Sequence, residues 1–228
     1  MRLTRSLAAA ALLCGTAASA EAATAANPAV VELFTSQGCS SCPPANANLI
    51  QLANRPDVIA LSFDVTYWDY LGWKDTFDSP AYTERQKDYE APLGESGPFT
   101  PQMVVDGSKD TVGFVRSDIE KLIAQSNRAN APAIHLSGSG VSIEAGSGGN
   151  ADVWLVRYDP NVVQIPISRG ENSGTTQPQT HVVRALTKLG EWKGGAASFA
   201  IPPEPSGLKT AVLLQRGPGG PIVAAARD

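Results

Sequence analysis

A strand, a pair of cysteines and a helix follow one another near the start of the chain. The run Val30–Phe34 is rich in β-branched and aromatic residues, which predicts a buried strand. Apolar residues then recur at near-helical spacing, so we expect a helix from Cys39 to Asn54 with its two prolines near its start. The pair Cys39 and Cys42 therefore lies where a buried strand passes into a helix, and the fold must contain this unit.

The first twenty residues have the layout of a secretory signal peptide. Arg2 and Arg5 form a basic region, Leu7–Leu13 is an apolar run, and a small-x-small cleavage site ends at Ala20. The apolar run is too short to cross a bilayer as a helix. Cys14 would also permit a lipoprotein signal, although the bulky residue before it is unusual there. We expect cleavage near Ala20 and a secreted or periplasmic protein without stable membrane insertion.

Removal of the signal peptide leaves two cysteines, Cys39 and Cys42. In an oxidising compartment such a pair is expected to form a disulfide. A bridge across so short a loop restricts the unfolded chain little, so redox chemistry suits the pair better than a stabilising role. A zinc site would need further ligands, and the two histidines, His135 and His181, lie in the second half of the chain. We therefore expect no metal and no cofactor.

The position of each cysteine predicts its role. A thiol attacks as its thiolate, and a helix start favours the anion through unpaired N–H groups and the helix dipole. Cys39 is therefore predicted to be the exposed attacking thiol, and Cys42 the shielded thiol that resolves a mixed disulfide.

Two motifs resemble the thioredoxin superfamily. They are the run Cys39–Pro43, with sequence CSSCP, and Thr100–Pro101 ahead of a predicted strand. The stretch from Thr100 to Gly107 is most similar to glutaredoxins. The resemblance covers residues 28 to 127 and implies that Pro101 is cis beside the disulfide and that the Thr100 backbone receives the substrate chain. The whole chain resembles an uncharacterised family of bacterial secreted proteins, known as a domain of unknown function with a thioredoxin-like fold.

Glu32 is a lone carboxylate inside the first apolar run. Thioredoxins carry a buried acid on the equivalent strand, so one interpretation is a proton relay between Glu32 and Cys42. The other interpretation is a glutamate at the strand edge that faces solvent or a partner.

Aromatic residues cluster in an insert between residues 67 and 89. They are Tyr67, Trp68, Tyr70, Trp73, Phe77, Tyr82 and Tyr89. Packing under the second half of the chain explains most of them, whereas Trp68 and Trp73 are predicted to contact substrate. Four aspartates, Asp64, Asp69, Asp75 and Asp78, flank the cluster, either as a cation site or as a solvated acidic loop.

Composition changes near Asn127, and helical patterns end there. Before it, Ser79 is expected to cap a helix that runs to about Glu90, and Ser117 a helix that runs to Gln125. We predict an α/β thioredoxin-like domain over residues 27–130, with a central mixed sheet flanked by helices, and an all-β, β-sandwich-like domain over residues 133–228. The predicted strands of the second domain are Ile134–Ala145, Asp152–Tyr158, Val162–Ile167, His181–Leu189, Ala197–Ile201, Lys209–Gln215 and Ile222–Ala225.

The second half of the chain carries no obvious catalytic cluster, so we expect it to restrict access to Cys39 rather than to do chemistry. Its polar loop Arg169–Gly174 either meets the redox face or a partner, or is an ordinary hairpin loop.

Net charge and motif together predict the function. The formal charge is −4 with a pI near 5.2 and no basic cluster, which argues against nucleic acid and anionic membranes as partners. We expect a secreted thiol–disulfide oxidoreductase that acts on exported proteins or small thiols. The alternatives are a non-catalytic binding module with a locked disulfide and a Cu(I)-handling protein, for which Met103 is the only additional ligand candidate.

Overall fold

The computed structural model describes residues 27–228 except residues 129 and 148. The predicted signal peptide therefore lies outside the described residues. Within this range the helices are α1 (Pro43–Ala53), α2 (Pro80–Leu93) and α3 (Arg116–Ala124), and a short 3₁₀ helix spans Asp69–Leu71. None of these helices is both long enough and apolar enough to cross a bilayer.

The strands are β1 (Ala29–Thr35), β2 (Val58–Asp64), β3 (Gln102–Val105), β4 (Lys109–Val112), β5 (Ile134–Ser137), β6 (Gly140–Ile143), β7 (Ala151–Asp159), β8 (Val163–Pro166), β9 (Thr176–Gln179), β10 (Val182–Trp192), β11 (Ala197–Ala200), β12 (Lys209–Gln215) and β13 (Ile222–Arg227). The long strand predicted at Ile134–Ala145 is in fact the hairpin β5–β6, because the chain turns at the Gly-rich segment between them. The short polar strand β9, which contains Pro178, has no counterpart among the predicted strands.

Eight strands of the described chain form one mixed sheet, in the order β13-β12-β7-β10-β2-β1-β3-β4. Strands β1 and β2 are parallel, and β10 joins the free edge of β2 in parallel at Val182 and Ser62. The backbone N–H of Ser62 donates to the carbonyl of His181 across this junction, at 2.9 Å. The predicted fold, a helix-flanked thioredoxin-like domain followed by a separate β-sandwich, is therefore wrong. The edge of β2 needs partners for its hydrogen-bonding groups, and a strand from the second half of the chain supplies them.

Different helices pack against the two faces of this sheet. Along β1, Val31 and Leu33 pack with α1 and α3, whereas Val30 and Phe34 face α2. This alternation is what the period of a strand requires. A third core, built around the fully buried Trp192, joins β7 and β12 to the small sheet β11-β6-β5.

The insert aromatics Tyr82 and Tyr89 lie on α2 and pack against Val156 and Leu213 of the second half of the chain. The prediction that such aromatics fill the space under the C-terminal strands is confirmed for these two. Helix α2 starts as expected, because the Ser79 hydroxyl accepts from the backbone N–H of Ala81 at 3.3 Å.

Helix α3 begins at Arg116, ahead of the expected N-cap residue Ser117. Val115 is its N-cap residue and makes no side-chain hydrogen bond there, so the predicted capping role of Ser117 is wrong. Glu120 of α3 pairs with Arg55 and Arg116 at 2.7 Å each.

Candidate functional site

Cys39 and Cys42 form a disulfide with Cα atoms 5.4 Å apart. The backbone N–H of Cys42 donates to the Cys39 carbonyl at 3.2 Å, so the pair closes a tight turn. Both cysteines are 0% exposed. The prediction that Cys39 is exposed is therefore wrong for this state, whereas the shielding of Cys42 agrees with expectation.

Helix α1 begins at Pro43, not at Cys39, and Cys42 is its N-cap residue. Its first two residues are prolines, which have no N–H group. The next two N–H groups, of Ala45 and Asn46, both donate to the Cys42 carbonyl. The N–H groups expected to stabilise a Cys39 thiolate are thus either hydrogen-bonded to Cys42 or absent because the residue is proline. The only contribution of α1 to thiolate stability is then its helix dipole.

Ser41 connects the disulfide to the Thr100–Pro101 loop. Its hydroxyl lies 3.3 Å from Cys39 Sγ and 3.5 Å from the Thr100 carbonyl oxygen. The Thr100–Pro101 peptide bond is cis, as expected from the resemblance. A Cβ on Gly113 would come within 2.9 Å of Ala45 and 3.3 Å of Pro101, so a glycine is required for this loop to approach α1.

The two tryptophans singled out from the sequence both reach this region. Trp68 donates from Nε1 to the Thr100 hydroxyl at 2.8 Å, and its Cβ would lie 3.2 Å from a Cβ placed on Gly38. Trp73 donates to the Gln37 side-chain oxygen at 3.0 Å. The insert therefore lies against the segment that leads into Cys39.

Gln37 is the centre of a polar network that was not recognised from the sequence. It is 0% exposed, and its backbone N–H donates to Asp75 at 2.7 Å. Its side-chain amide donates to Thr76 at 2.9 Å and to Gln179 at 3.4 Å. A single glutamine between a serine and a glycine has no sequence signal, because its partners lie far along the chain.

The loop between β8 and β9 covers Cys39. Asn172 donates from Nδ2 to the carbonyls of Gln37 and Cys39, at 2.9 Å each. Glu171 accepts from the backbone N–H of Ser40 at 3.3 Å. Of the two interpretations of Arg169–Gly174, the one in which the loop meets the face that carries the cysteines is confirmed.

Two buried carboxyl groups lie behind this network. Asp64 accepts from Gln179 at 2.7 Å, and its second oxygen is buried with no partner in the described structure. Burial, together with the neighbouring charge of Asp75, raises the pKa of Asp64 well above its usual range. Burial also raises the pKa of Asp75 to about 6, against the lowering effect of the N–H groups of Gln37 and Phe77.

The other two aspartates of the cluster, Asp69 and Asp78, both pair with Lys74, at 2.7 and 2.5 Å. The four therefore divide into the pair Asp64 and Asp75 behind the network and the pair Asp69 and Asp78 around Lys74. No group of three or more metal-ligating side chains occurs among the described residues.

Glu32 is buried but lies on the α2 face of the sheet. Arg85 of α2 donates to it from Nε at 2.7 Å, and the Tyr89 hydroxyl donates to it at 2.5 Å. Within the described chain no hydrogen bond joins Glu32 to either cysteine, and α1 packs on the opposite face. The other interpretation, a glutamate at the strand edge that faces solvent or a partner, is wrong, because Glu32 is 0% exposed.

Three comparisons place this architecture among known proteins. A crystal structure of a protein from Agrobacterium tumefaciens is similar, with 32% identity, a TM-score of 0.74, and coverage of 87% of this chain and 92% of that one. HBP35 of Porphyromonas gingivalis is similar in fold alone, with 13% identity, a TM-score of 0.57, and coverage of 89% of this chain and 74% of that one. No curated protein matches the sequence.

The family model described as "Protein of unknown function (DUF1223)" matches residues 30–215, which include the disulfide, the insert and the loop over Cys39. This match spans most of the chain, so the protein belongs to the DUF1223 family.

Proposed function

We propose that this protein is a thiol–disulfide oxidoreductase, with Cys39 and Cys42 as its redox pair. The observation that carries the proposal is the meeting of the disulfide with Ser41 and the Thr100–Pro101 loop. A loop backbone beside a disulfide can offer hydrogen-bonding groups to an extended substrate chain. This combination resembles the redox site of the thioredoxin superfamily, and the resemblance concerns the site rather than the whole fold.

In the proposed reaction the Cys39 thiolate attacks one sulfur of a substrate disulfide. A mixed disulfide forms, and the other substrate sulfur leaves as a thiolate. The Cys42 thiolate then attacks Cys39 Sγ, which releases the second substrate thiolate and restores the Cys39–Cys42 disulfide. Two electrons pass to the substrate, and the reverse sequence oxidises a substrate dithiol.

Exported proteins and small thiols are the substrates that fit a secreted or periplasmic protein. A signal peptide over residues 1–20 would deliver the chain to an oxidising compartment, where exported thiol proteins and small thiols are available. Trp68, beside Thr100, would supply an apolar contact for such a substrate.

A second candidate follows from the burial of both cysteines. A disulfide that is 0% exposed and held under Asn172 also suits a non-catalytic binding module in which the bridge is locked. The two candidates differ in whether the native protein exchanges its disulfide with a dithiol.

The test is an insulin-reduction assay driven by dithiothreitol, with the wild type, Cys39→Ser and Cys42→Ser. We expect the wild type to accelerate insulin precipitation and both variants to lose this activity. Cys42→Ser should also trap a mixed disulfide at Cys39 that mass spectrometry detects, and Cys39→Ser should not. A native disulfide that resists dithiothreitol, with no acceleration, would instead establish the binding module.

A further inference from the structure

A cavity of about 510 Å³ lies away from the disulfide site. Its walls come from the β3–β4 turn, Leu122 of α3, the β12–β13 turn and Ser147. The segment that follows α3, from Gln125 to Arg128 and from Asn130 to Pro132, forms the rest. The backbone N–H of Ile222 donates to the Asp106 carbonyl at 2.8 Å, which holds the two turns together along one side. The cavity lining includes none of the residues that surround Cys39.

Arg128 lines this cavity in an unusual state. Its side chain is only 4% exposed, yet none of its three guanidinium nitrogens has a hydrogen-bond partner in the described structure. Burial without such partners is costly for a charged group, and here it lowers the pKa of Arg128. A guanidinium with five unused N–H groups is well suited to bind an oxyanion through two parallel hydrogen bonds.

Asp106 does not satisfy this arginine. Its Oδ1 lies 3.7 Å from Arg128, beyond hydrogen-bond distance, and already accepts from the backbone N–H of Val30 at 2.8 Å. Its other oxygen accepts from the Ser126 hydroxyl. The carboxylate of Asp106 thus holds the β3–β4 turn and forms an ion pair with Arg128, while the guanidinium nitrogens of Arg128 have no hydrogen-bond partner in the described structure.

The remaining lining favours an anion with a small apolar body. Lys109 and Arg216 also line the cavity, whereas Asp106 is the only acidic residue among the described lining residues. Leu122 and Val223 contribute apolar surface. The charge balance is therefore positive, and the walls are mixed in polarity.

We propose that this cavity binds a small organic anion whose carboxylate or phosphate group pairs with Arg128. Lys109 and Arg216 attract the same charge, and the apolar part of the ligand packs against Leu122 and Val223. A carboxylic acid and a phosphate ester can both supply the oxyanion that pairs with Arg128. The experiment below distinguishes between these two classes of ligand.

The test measures thermal unfolding of the full protein with butyrate, inorganic phosphate or the neutral isostere butyramide, at ionic strength matched with sodium chloride. We expect one of the two anions to raise Tm by about 5 to 10 °C at one hundred times its Kd. Butyramide should leave Tm unchanged. A larger shift with butyrate identifies a carboxylate ligand, and a larger shift with phosphate identifies a phosphate ligand. No shift with either anion would overturn the proposal.

Three variants assign the effect to Arg128. Arg128→Met should abolish the anion-dependent shift. It removes the ion pair with Asp106 at 3.7 Å, but the Asp106 carboxylate keeps its hydrogen bonds from Val30 and Ser126, so the variant is expected to fold. Lys193→Gln, an exposed charge change that is not part of the cavity lining, should keep the shift. Arg128→Lys retains the charge and therefore the fold, and should weaken binding at least about ten-fold in titration calorimetry, since the paired geometry is lost. Affinity equal to that of the wild type in Arg128→Lys would refute the assignment.

Discussion

The groups that touch the disulfide are hydroxyls and amides. Ser41 contacts Cys39 Sγ, and Asn172 donates to the Cys39 carbonyl. Neither a disulfide sulfur nor a carbonyl oxygen can donate, so the single hydrogen of the Ser41 hydroxyl is shared between Cys39 Sγ and the Thr100 carbonyl. The same hydroxyl is placed to stabilise a Cys39 thiolate, which is a role that the start of α1 does not fill.

Replacement of Ser41 by alanine is expected to raise the pKa of the Cys39 thiol by about one unit, because the thiolate loses a hydrogen-bond donor. The measurement is the rate of alkylation of the reduced protein across pH, with the label mapped by mass. Ser40→Ala is the matched control, since its side chain is exposed and its bond to Glu171 is made by the backbone. An unchanged pKa in Ser41→Ala would remove this role.

The buried carboxyl pair sets a pH dependence of stability. Because the pKa of Asp64 is raised in the folded state, the folded protein holds a proton that the unfolded chain has released. The free energy of unfolding therefore falls as pH rises above the usual aspartate value and continues to fall until Asp64 deprotonates in the folded protein. Asp75, with a pKa of about 6, contributes in the same direction from about pH 4 to pH 6.

Asp64→Asn is expected to be more stable relative to the wild type at pH 8 than at pH 5, by about 1 to 3 kcal/mol, since an amide carries no proton to lose. Urea unfolding at the two pH values measures the difference. Asp118→Asn, which breaks only an exposed pair with Lys121, serves as control and should change little at either pH. If Asp64→Asn differs from the wild type by the same amount at pH 5 and pH 8, the Asp64 carboxyl does not titrate as described.

The loop between β8 and β9 is the element that closes the site. The Asn172 side chain donates hydrogen bonds of 2.9 Å to the backbone carbonyls of Gln37 and Cys39 in the N-terminal half of the chain. Gln177 of β9 adds a longer bond of 3.4 Å to the Gln37 carbonyl. Access to the disulfide therefore depends on whether this loop opens.

Asn172→Ala should speed reduction of the native disulfide by dithiothreitol by about five-fold to thirty-fold, because opening costs about 1 to 2 kcal/mol less without the two bonds. Stopped-flow measurement of thiol release gives the rate. Ser173→Ala lies in the same loop and affects only a bond to the Ser168 carbonyl, so it should react at the wild-type rate. Equal rates for Asn172→Ala and the wild type would show that the loop does not limit access.

One sheet joins the two halves of the molecule. Strand β10 pairs with β2, and the core between α2 and the sheet includes Val156, Val183 and Leu213 from the C-terminal half. Arg85, the partner of the buried Glu32, also donates to Gln215 at 3.1 Å. The N-terminal half therefore shares both its sheet edge and its core with the rest of the chain.

A fragment of residues 27–130 is expected to lack cooperative unfolding, because the edge of β2 and the α2 core are left without partners. Near-UV circular dichroism and urea titration measure this, with the full protein as control. A sharp unfolding transition in the fragment, with an m-value in proportion to its size, would instead show that the first half folds as an independent domain.

Local chemistry was sufficient to predict the disulfide, the first strand and the start of α2. Cys39 and Cys42 are three residues apart, Val30–Phe34 carries its own strand pattern, and Ser79 with Pro80 forms its own cap. Each of these depends on neighbours in the sequence, which is why pattern and spacing predict them. The placement of Trp68 and Trp73 near the site was also anticipated, from the clustering of aromatics in one insert.

Only the tertiary structure decided which strand completes β2, what covers Cys39 and where the buried acids lie. The bond from Asn172 to Cys39 spans 133 residues, and that from Gln179 to Asp64 spans 115. Polar side chains carry no periodic signal, and any strand of suitable length satisfies the free groups of a sheet edge equally well. The sequence by itself therefore determined the disulfide pair and its local turn, whereas the shared sheet and the closed site arise from long-range contacts that the burial of the whole chain selects.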